Sequence, residues 1–286
     1  MPAEIQPFHD PQTGTFSYLV VDPATRRAAI VDPVLDYDPR SARTGTAGAD
    51  AIAAYVESRA LVVDWILETH AHADHLSAAA VLKARLGGRT GIGEGVCEVQ
   101  ATFRDILDLG PGFPVDGSQF DHLFRDAETL AIGSLAGRVL ATPGHTSDSI
   151  TYVIGNSAFI GDTLFAPGYG TARCDFPGGD TRRLFESVQK LYALPPDTLL
   201  YQCHDYPPTG REPHPACTVR EQREGNVMLR EGTSMHEFVA ARQARDAKLA
   251  APVLLIPAIQ VNIRAGHLPP PASNGHSYLK IPVNRL

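Results

Sequence analysis

Three histidines and an aspartate fall within six residues in Thr69-His70-Ala71-His72-Ala73-Asp74-His75. Imidazole and carboxylate donors at this density suit a first-row transition metal. Further along, His145, Asp162 and His204 each stand where an apolar, strand-like run gives out. Loops leaving the ends of strands are where a rigid scaffold gathers functional groups. The four segments therefore predict one shared site with up to seven donors: His70, His72, Asp74, His75, His145, Asp162 and His204. One ion needs three or four of them. Two ions sharing a carboxylate would use all seven, with Asp162 as the natural bridge.

The elements that must carry these residues are read from periodicity. Residues 15–22 and 28–31 alternate as strands around an Asp22-Pro23 turn. Residues 39–48 read as a loop, 49–58 as a helix and 61–67 as a strand ending at the histidine cluster. The apolar spacing of Leu76, Ala79, Ala80, Leu82 and Leu86 predicts a helix over 75–86, for which Asp74, if not a metal donor, would be only the N-cap. A second helix is expected over 94–109 and a Gly/Pro loop over 110–118. Strands are expected over 134–141, 149–154, 158–160 and 198–202, with a helix capped by Asp180 running to about Leu194. Two amphipathic helices, over 218–231 and 234–249, follow, the second opened by the capping-box pattern Ser234-Met235-His236-Glu237. An apolar segment, 252–261, and a Pro/Gly loop, 267–276, complete the chain. The composition shift near Pro207 suggests a core of residues 1–210 and a C-terminal helical extension of 211–286 packed on it.

Composition narrows the classes of function. The net charge of -7 leaves no basic stripe for nucleic acid. No apolar run approaches a membrane span, and residues 1–10 do not read as a signal or transit peptide. The four cysteines, Cys97, Cys174, Cys203 and Cys217, have no CxxC spacing, so a reducing compartment and packing roles are expected. Cys174 and Cys203 lie close enough to site residues for a thiol role to stay open. A cytoplasmic protein is the expectation. His9, His122, His214, His236, His267 and His276 read as ordinary surface residues.

Taken together, Thr69 to His75, Thr142-Pro143-Gly144-His145-Thr146, Gly161-Asp162-Thr163-Leu164 and His204-Asp205-Tyr206 resemble the metallo-β-lactamase superfamily. The resemblance implies an α/β fold, an αββα sandwich of two mixed sheets with outer helices and the metal site at one edge. Three further stretches, residues 170–180, Cys203 to Tyr206 and residues 256–266, resemble the persulfide dioxygenase branch in its bacterial form. That branch implies one Fe(II) per chain, held by His70, His145 and Asp162, with His72, Asp74, His75 and His204 behind it. It also implies oxidation of glutathione persulfide with O2 to sulfite and glutathione. The competing branch, glyoxalase II, implies two Zn ions and hydrolysis of S-acylglutathione thioesters. Every ligand of the two-ion site is present, so ligand count leaves both open. Within the dioxygenase branch, Tyr206 is expected to hydrogen-bond oxygen or water beside the ion. Arg173 is expected to hold either a substrate carboxylate or Asp175. Asn262 and Arg264 are candidates for lining a thiol pocket. The expected partners are glutathione persulfide and O2, with no nucleic acid or membrane, and homodimerisation is left open.

Overall fold

The computed structural model describes residues 2–207 and 209–285. Its first half runs β1 (Glu4–Asp10), β2 (Thr15–Asp22), β3 (Arg27–Val31), β4 (Val34–Asp38), β5 (Arg43–Gly45), α1 (Ala47–Ser58), β6 (Val62–Leu67), β7 (Leu76–Ser77), α2 (Ala79–Leu86), β8 (Arg89–Gly93), α3 (Val96–Ile106) and β9 (His122–Phe124). The second half runs β10 (Thr129–Ile132), β11 (Leu135–Ala141), β12 (Ile150–Ile154), β13 (Ser157–Gly161), α4 (Thr181–Tyr192), β14 (Leu199–Gln202), β15 (Ala216–Thr218), α5 (Val219–Gly225), α6 (Met235–Asp246) and α7 (Leu255–Asn262).

Each half builds one six-stranded sheet, in the orders β1-β2-β3-β6-β8-β9 and β10-β11-β12-β13-β14-β15. Both are mixed: β3, β6, β8 and β9 pair in parallel, as do β13 and β14, and the remaining neighbours are antiparallel. Their inner faces meet through Tyr18, Val31, Trp65 and Leu67 on one side and Leu130, Val139, Tyr152 and Phe159 on the other. On the outer face of the first sheet, Ile52 and Val56 of α1, Leu82 of α2 and Val261 of α7 pack over Leu19, Ile30 and Ile66. Leu184 and Val188 of α4 and Phe238 of α6 cover Ala158, Ile160 and Leu200 of the second. The chain is thus the αββα sandwich. Layers on both faces explain why β2, β12 and β13 are buried at every position, without the alternation of a half-exposed strand.

Several boundaries differ from the sequence reading. Leu76 and Ser77 do not open a helix. They form β7, which pairs with β4 through Val34↔Ser77 and Leu35↔Leu76, and α2 begins at Ala79. The N-cap position of α2 belongs to Ala78, so Asp74 is not a helix cap. A helical spacing of apolar residues cannot reveal that a nonlocal strand claims its first turn. A short strand, β5, interrupts the expected 39–48 loop. Strands β1, β4, β8, β9 and β15 have no counterpart in the reading. In β8 the glycines that hid the strand are there for space: a Cβ on Gly91 would stand 2.6 Å from the Phe124 ring. Helix α5 stops at Gly225 because the Asn226 side chain accepts from the amides of Met228 and Leu229. The Asp180 cap on α4 and the Ser234 capping box on α6 form as expected. Among the described residues, no helix is long and apolar enough to cross a membrane.

Candidate metal centre

The site forms where strand ends of both sheets meet. The segment after β6 brings His70, His72, Asp74 and His75, while the β11–β12 loop brings His145. Asp162 follows β13 and His204 follows β14. Two glycines make the approach possible. Gly144 has φ +140°, and a Cβ there would lie 2.3 Å from the Leu184 amide nitrogen. Gly161 has φ +53°, and a Cβ there would lie 2.5 Å from Thr69 Oγ1.

All seven donors sit in one buried cluster, apart from Asp74, which is partly open. His70, His145 and Asp162 form one compact set, with His145 Nε2 at 3.6 Å and His70 Nε2 at 3.9 Å from Asp162 Oδ2. Asp74, Asp162 and His204 form a second, and His72, Asp74 and His75 a third. His204 Nε2 lies 3.5 Å from Asp162 Oδ1, so the Asp162 carboxylate faces both sides of the site.

The hydrogen bonds behind these rings fix which nitrogen points inward. His145 Nδ1 donates to the Arg173 carbonyl at 2.7 Å. His204 Nδ1 meets the Gly14 carbonyl at 3.2 Å. His72 reverses the pattern: Nε2 pairs with Asp32 Oδ1 at 3.0 Å, which turns Nδ1 inward. What remains is a set of buried atoms that make no aligned hydrogen bond within the protein: His70 Nε2, His72 Nδ1, His75 Nε2, Asp162 Oδ1 and His204 Nε2, the last with Asp74 Oδ2 at 2.7 Å. Buried polar atoms are nearly always satisfied. Five converging orphans, with their rings oriented from behind, fit metal ions and not an ordinary polar core.

The electrostatics agree. Burial holds His70 well below the ordinary imidazole range, helped by His72 and His145, and burial also lowers His75. Burial would lower His72 too, but Asp32 and Glu68 outweigh it and hold the ring well above its usual value. His204 is pushed up to about 9, because Asp74 and Asp162 overcome its burial. Burial would raise Asp74, yet His204 and His75 hold it well below the usual carboxylate range. Burial thus favours the neutral, metal-binding form of His70 and His75, while the carboxylates beside His72 and His204 favour their protonated forms.

A cavity of about 220 Å³ opens on Asp74, His145 and Asp162. Phe165, Tyr169 and Phe176 give it an aromatic wall. Tyr206 also lines it, 41% exposed, with its ring stacked on His204 at a centroid distance of 5.5 Å. Of the two readings of Arg173, the structure contains the ion pair. The guanidinium meets Asp175 at 2.6 and 2.7 Å and the Ala250 carbonyl at 2.6 Å, while its edge still lines the cavity. Arg242 is committed to Asp246. Arg245 has no carboxylate in ion-pair range among the described residues. Its Nη1 donates to the Tyr169 carbonyl at 3.0 Å, its guanidinium lies over the Tyr169 ring at 5.0 Å, and the residue lines the cavity.

Asn262 and Arg264 do not line this cavity. Asn262 is buried against the backbone of the histidine segment, and Arg264 lies over the Phe113 ring at 4.7 Å. The four cysteines are free thiols; Cys174 sits in the core under α4, and Cys203 donates to Asp32 Oδ2 at 3.0 Å. The most consequential omission of the sequence reading is Asp32. It follows β3 as the other site residues follow their strands, and the same strand-end rule would have found it.

A family profile described as the metallo-beta-lactamase superfamily matches residues 10–204. Among curated relatives, the chain is 51% identical to a metallo-hydrolase of Burkholderia pseudomallei (strain 1710b), over 99% of both chains. It is 48% identical to glyoxylase B2 of Dictyostelium discoideum, over 99% of this chain and 98% of that one. It is 30% identical to the human mitochondrial persulfide dioxygenase ETHE1, over 95% and 92%. The chain spans 64% of the length of the beta-lactamase hydrolase-like protein of Xylella fastidiosa (strain Temecula1) that it also matches. Among solved structures, ETHE1 from Myxococcus xanthus superposes with a TM-score of 0.74 at 30% identity, covering 92% of this chain and all of that one.

Proposed function

Because this chain belongs to the metallo-beta-lactamase superfamily, we propose that it is a persulfide dioxygenase. The reaction takes glutathione persulfide, O2 and water to glutathione and sulfite, with one ferrous ion at His70, His145 and Asp162. The observation that carries this reading is the compact set of His70, His145 and Asp162, of which His145 and Asp162 line an aromatic-walled cavity and His70 is buried beside them. Such a set, when it holds ferrous iron, leaves coordination positions open for a soft sulfur donor and for oxygen chemistry.

The chain's own groups supply the rest. His145 Nδ1 keeps its proton in the hydrogen bond to the Arg173 carbonyl, so Nε2 keeps its lone pair toward the site. The Asp32 carboxylate does the equivalent for His72 with the opposite tautomer. Phe165, Tyr169 and Phe176 exclude bulk water from the sulfur end of the substrate. The Arg245 fork is suited to a carboxylate of the thiol carrier, and Tyr206 offers a hydroxyl at the cavity rim. The expected substrate is therefore an anionic thiol carrier, which glutathione is.

A second reading rests on a specific feature. The orphaned nitrogens of His72, His75 and His204 furnish a second ion position beside the first, which favours a two-zinc thioester hydrolase. The two separate cleanly by assay. Protein loaded anaerobically with Fe(II) should take up O2 only when glutathione persulfide is added. Rapid hydrolysis of S-lactoylglutathione by the zinc-loaded protein, with no O2 uptake by the iron-loaded one, would transfer the assignment to the hydrolase.

A further inference from the structure

Helix α7 lies almost 200 residues beyond the histidine cluster in sequence, yet one of its side chains is built into the cluster's backbone. Asn262, the last residue of α7, is 4% exposed. Its Nδ2 donates to the carbonyls of His72 and His75, at 2.8 Å each, and its Oδ1 accepts from the Ser77 amide at 2.8 Å. Both amide protons and the carbonyl oxygen of one side chain are thus spent on a single six-residue segment. That segment carries three of the seven donors: His72, Asp74 and His75.

The rest of the contact is equally close. Gly266, at φ +83°, brings the chain so near that a Cβ would stand 2.9 Å from the Ala80 amide nitrogen and 3.0 Å from the Ser77 carbonyl. The Ile263 carbonyl accepts from Gln100, whose own oxygen holds the Gly117 amide. On its other side, the segment is fixed by the pairing of β7 with β4 and by the Ala78 amide on the Pro33 carbonyl. The loop between these two supports has no regular hydrogen bonding of its own, so its shape depends on what grips it.

We infer that Asn262 is a positioning residue of the metal centre: it clamps the 72–77 segment so that His72, Asp74 and His75 face the ion site. The C-terminal segment is then a working part of the centre and not an appendage to it. This rests on the reading of the cluster as a metal site, and the test separates the two. A clamp that orients ligands from behind should govern how long a metal stays and how often the segment opens.

The experiment uses the full chain with Asn262→Asp, which keeps the acceptor and loses both donors, and Asn262→Leu, which keeps the volume and loses all three bonds. Val261→Ala is the control: it loosens the packing of the same helix on the core and leaves the three Asn262 hydrogen bonds to the segment in place. In protein loaded with two equivalents of Zn(II), release of the ion held by the 72–77 donors to a chromophoric chelator should quicken about 10- to 100-fold in both Asn262 variants. In Val261→Ala it should stay near the parent rate, even where thermal stability falls as far. Amide hydrogen exchange over 72–77, measured on metal-free protein, should quicken in the Asn262 variants alone. If Asn262→Leu released that ion within twofold of the parent, or if Val261→Ala matched it, the clamp would be refuted. Should the parent hold fewer than two ions, the reading of a second position fails, and exchange over 72–77 still decides whether Asn262 holds the segment.

Discussion

Replacing Asp32 by Asn should weaken both the fold and the metal centre through one carboxylate. Asp32 is buried and accepts four hydrogen bonds. Its Oδ1 takes the Thr69 amide at 2.7 Å and His72 Nε2 at 3.0 Å. Its Oδ2 takes Thr69 Oγ1 at 2.9 Å and Cys203 Sγ at 3.0 Å. An Asn amide can keep its oxygen toward the first pair and turn its NH2 toward the second, where a hydroxyl can reverse and accept. The thiol cannot accept well, and the charge behind His72 is lost. The backbone does not confound the test, since φ at residue 32 is +50° and Asn tolerates that region as Asp does. A hydrogen bond to a charged group contributes about 1.5–3 kcal/mol. Converting two to neutral bonds and weakening a third should therefore cost about 2–3 kcal/mol, read by urea denaturation of metal-free protein. Metal affinity, read by competition with a chelator, should fall about 10- to 100-fold, because the second partner of a ligating imidazole sets its tautomer and basicity. A variant within 0.5 kcal/mol of the parent on that ~2–3 kcal/mol scale, with metal affinity unchanged, would refute the role given to Asp32.

Four shorter predictions follow from the same geometry. Gly144→Ala should destabilise the chain by about 1–3 kcal/mol in denaturant titration and lose bound metal, because its Cβ would strike the backbone at Leu184 and drag His145 with it. Tyr206→Phe should lower turnover about 3- to 10-fold while metal content stays constant, since the ring keeps its stack on His204; metal analysis beside steady-state kinetics separates the two. Arg245→Gln should raise KM about 10- to 100-fold for glutathione-borne substrates and leave KM unchanged when both glutathione carboxylates are esterified. Stripping the metal with a chelator should lower stability by about 2.7 kcal/mol relative to protein held at 100 times the dissociation constant, seen as a lower melting temperature.

The sequence exposed the ligands more clearly than the scaffold, for a physical reason. His70, His145, Asp162 and His204 are legible because a buried imidazole or carboxylate after an apolar run has few ordinary explanations. Strands such as Thr15–Asp22 and Ile150–Ile154 are legible because their β-branched and aromatic residues leave no competing period. Strand β8 was not, because two of its five residues are glycines demanded by neighbours distant in sequence. The start of α2 was misread because β4, forty residues earlier, decides whether Leu76 is helix or strand. Asn262 was legible as a member of a distinctive stretch but not in its role. No local pattern tells that its amide points at backbone instead of into the cavity.

The roles of Asp32 and Asn262 bear on how one set of ligands can serve two chemistries. The first ion position draws His70 from one sheet and His145 and Asp162 from the other, so it exists only when the sandwich closes. The second draws its donors from the 72–77 segment and from His204, whose ring is oriented by the Gly14 carbonyl. Asp32 links the two: it grips Thr69 beside the first position and His72 beside the second, while Cys203 ties it to the β14 end. Asn262 acts on the second position alone. A change behind the ligands can therefore retune one position without altering any ligand. On the proposed reading, changes in the groups supporting the histidines should shift the balance between one ion and two. The Asp32 and Asn262 variants should accordingly differ in kind: the first weakens metal at both positions, and the second frees chiefly the donors of the second.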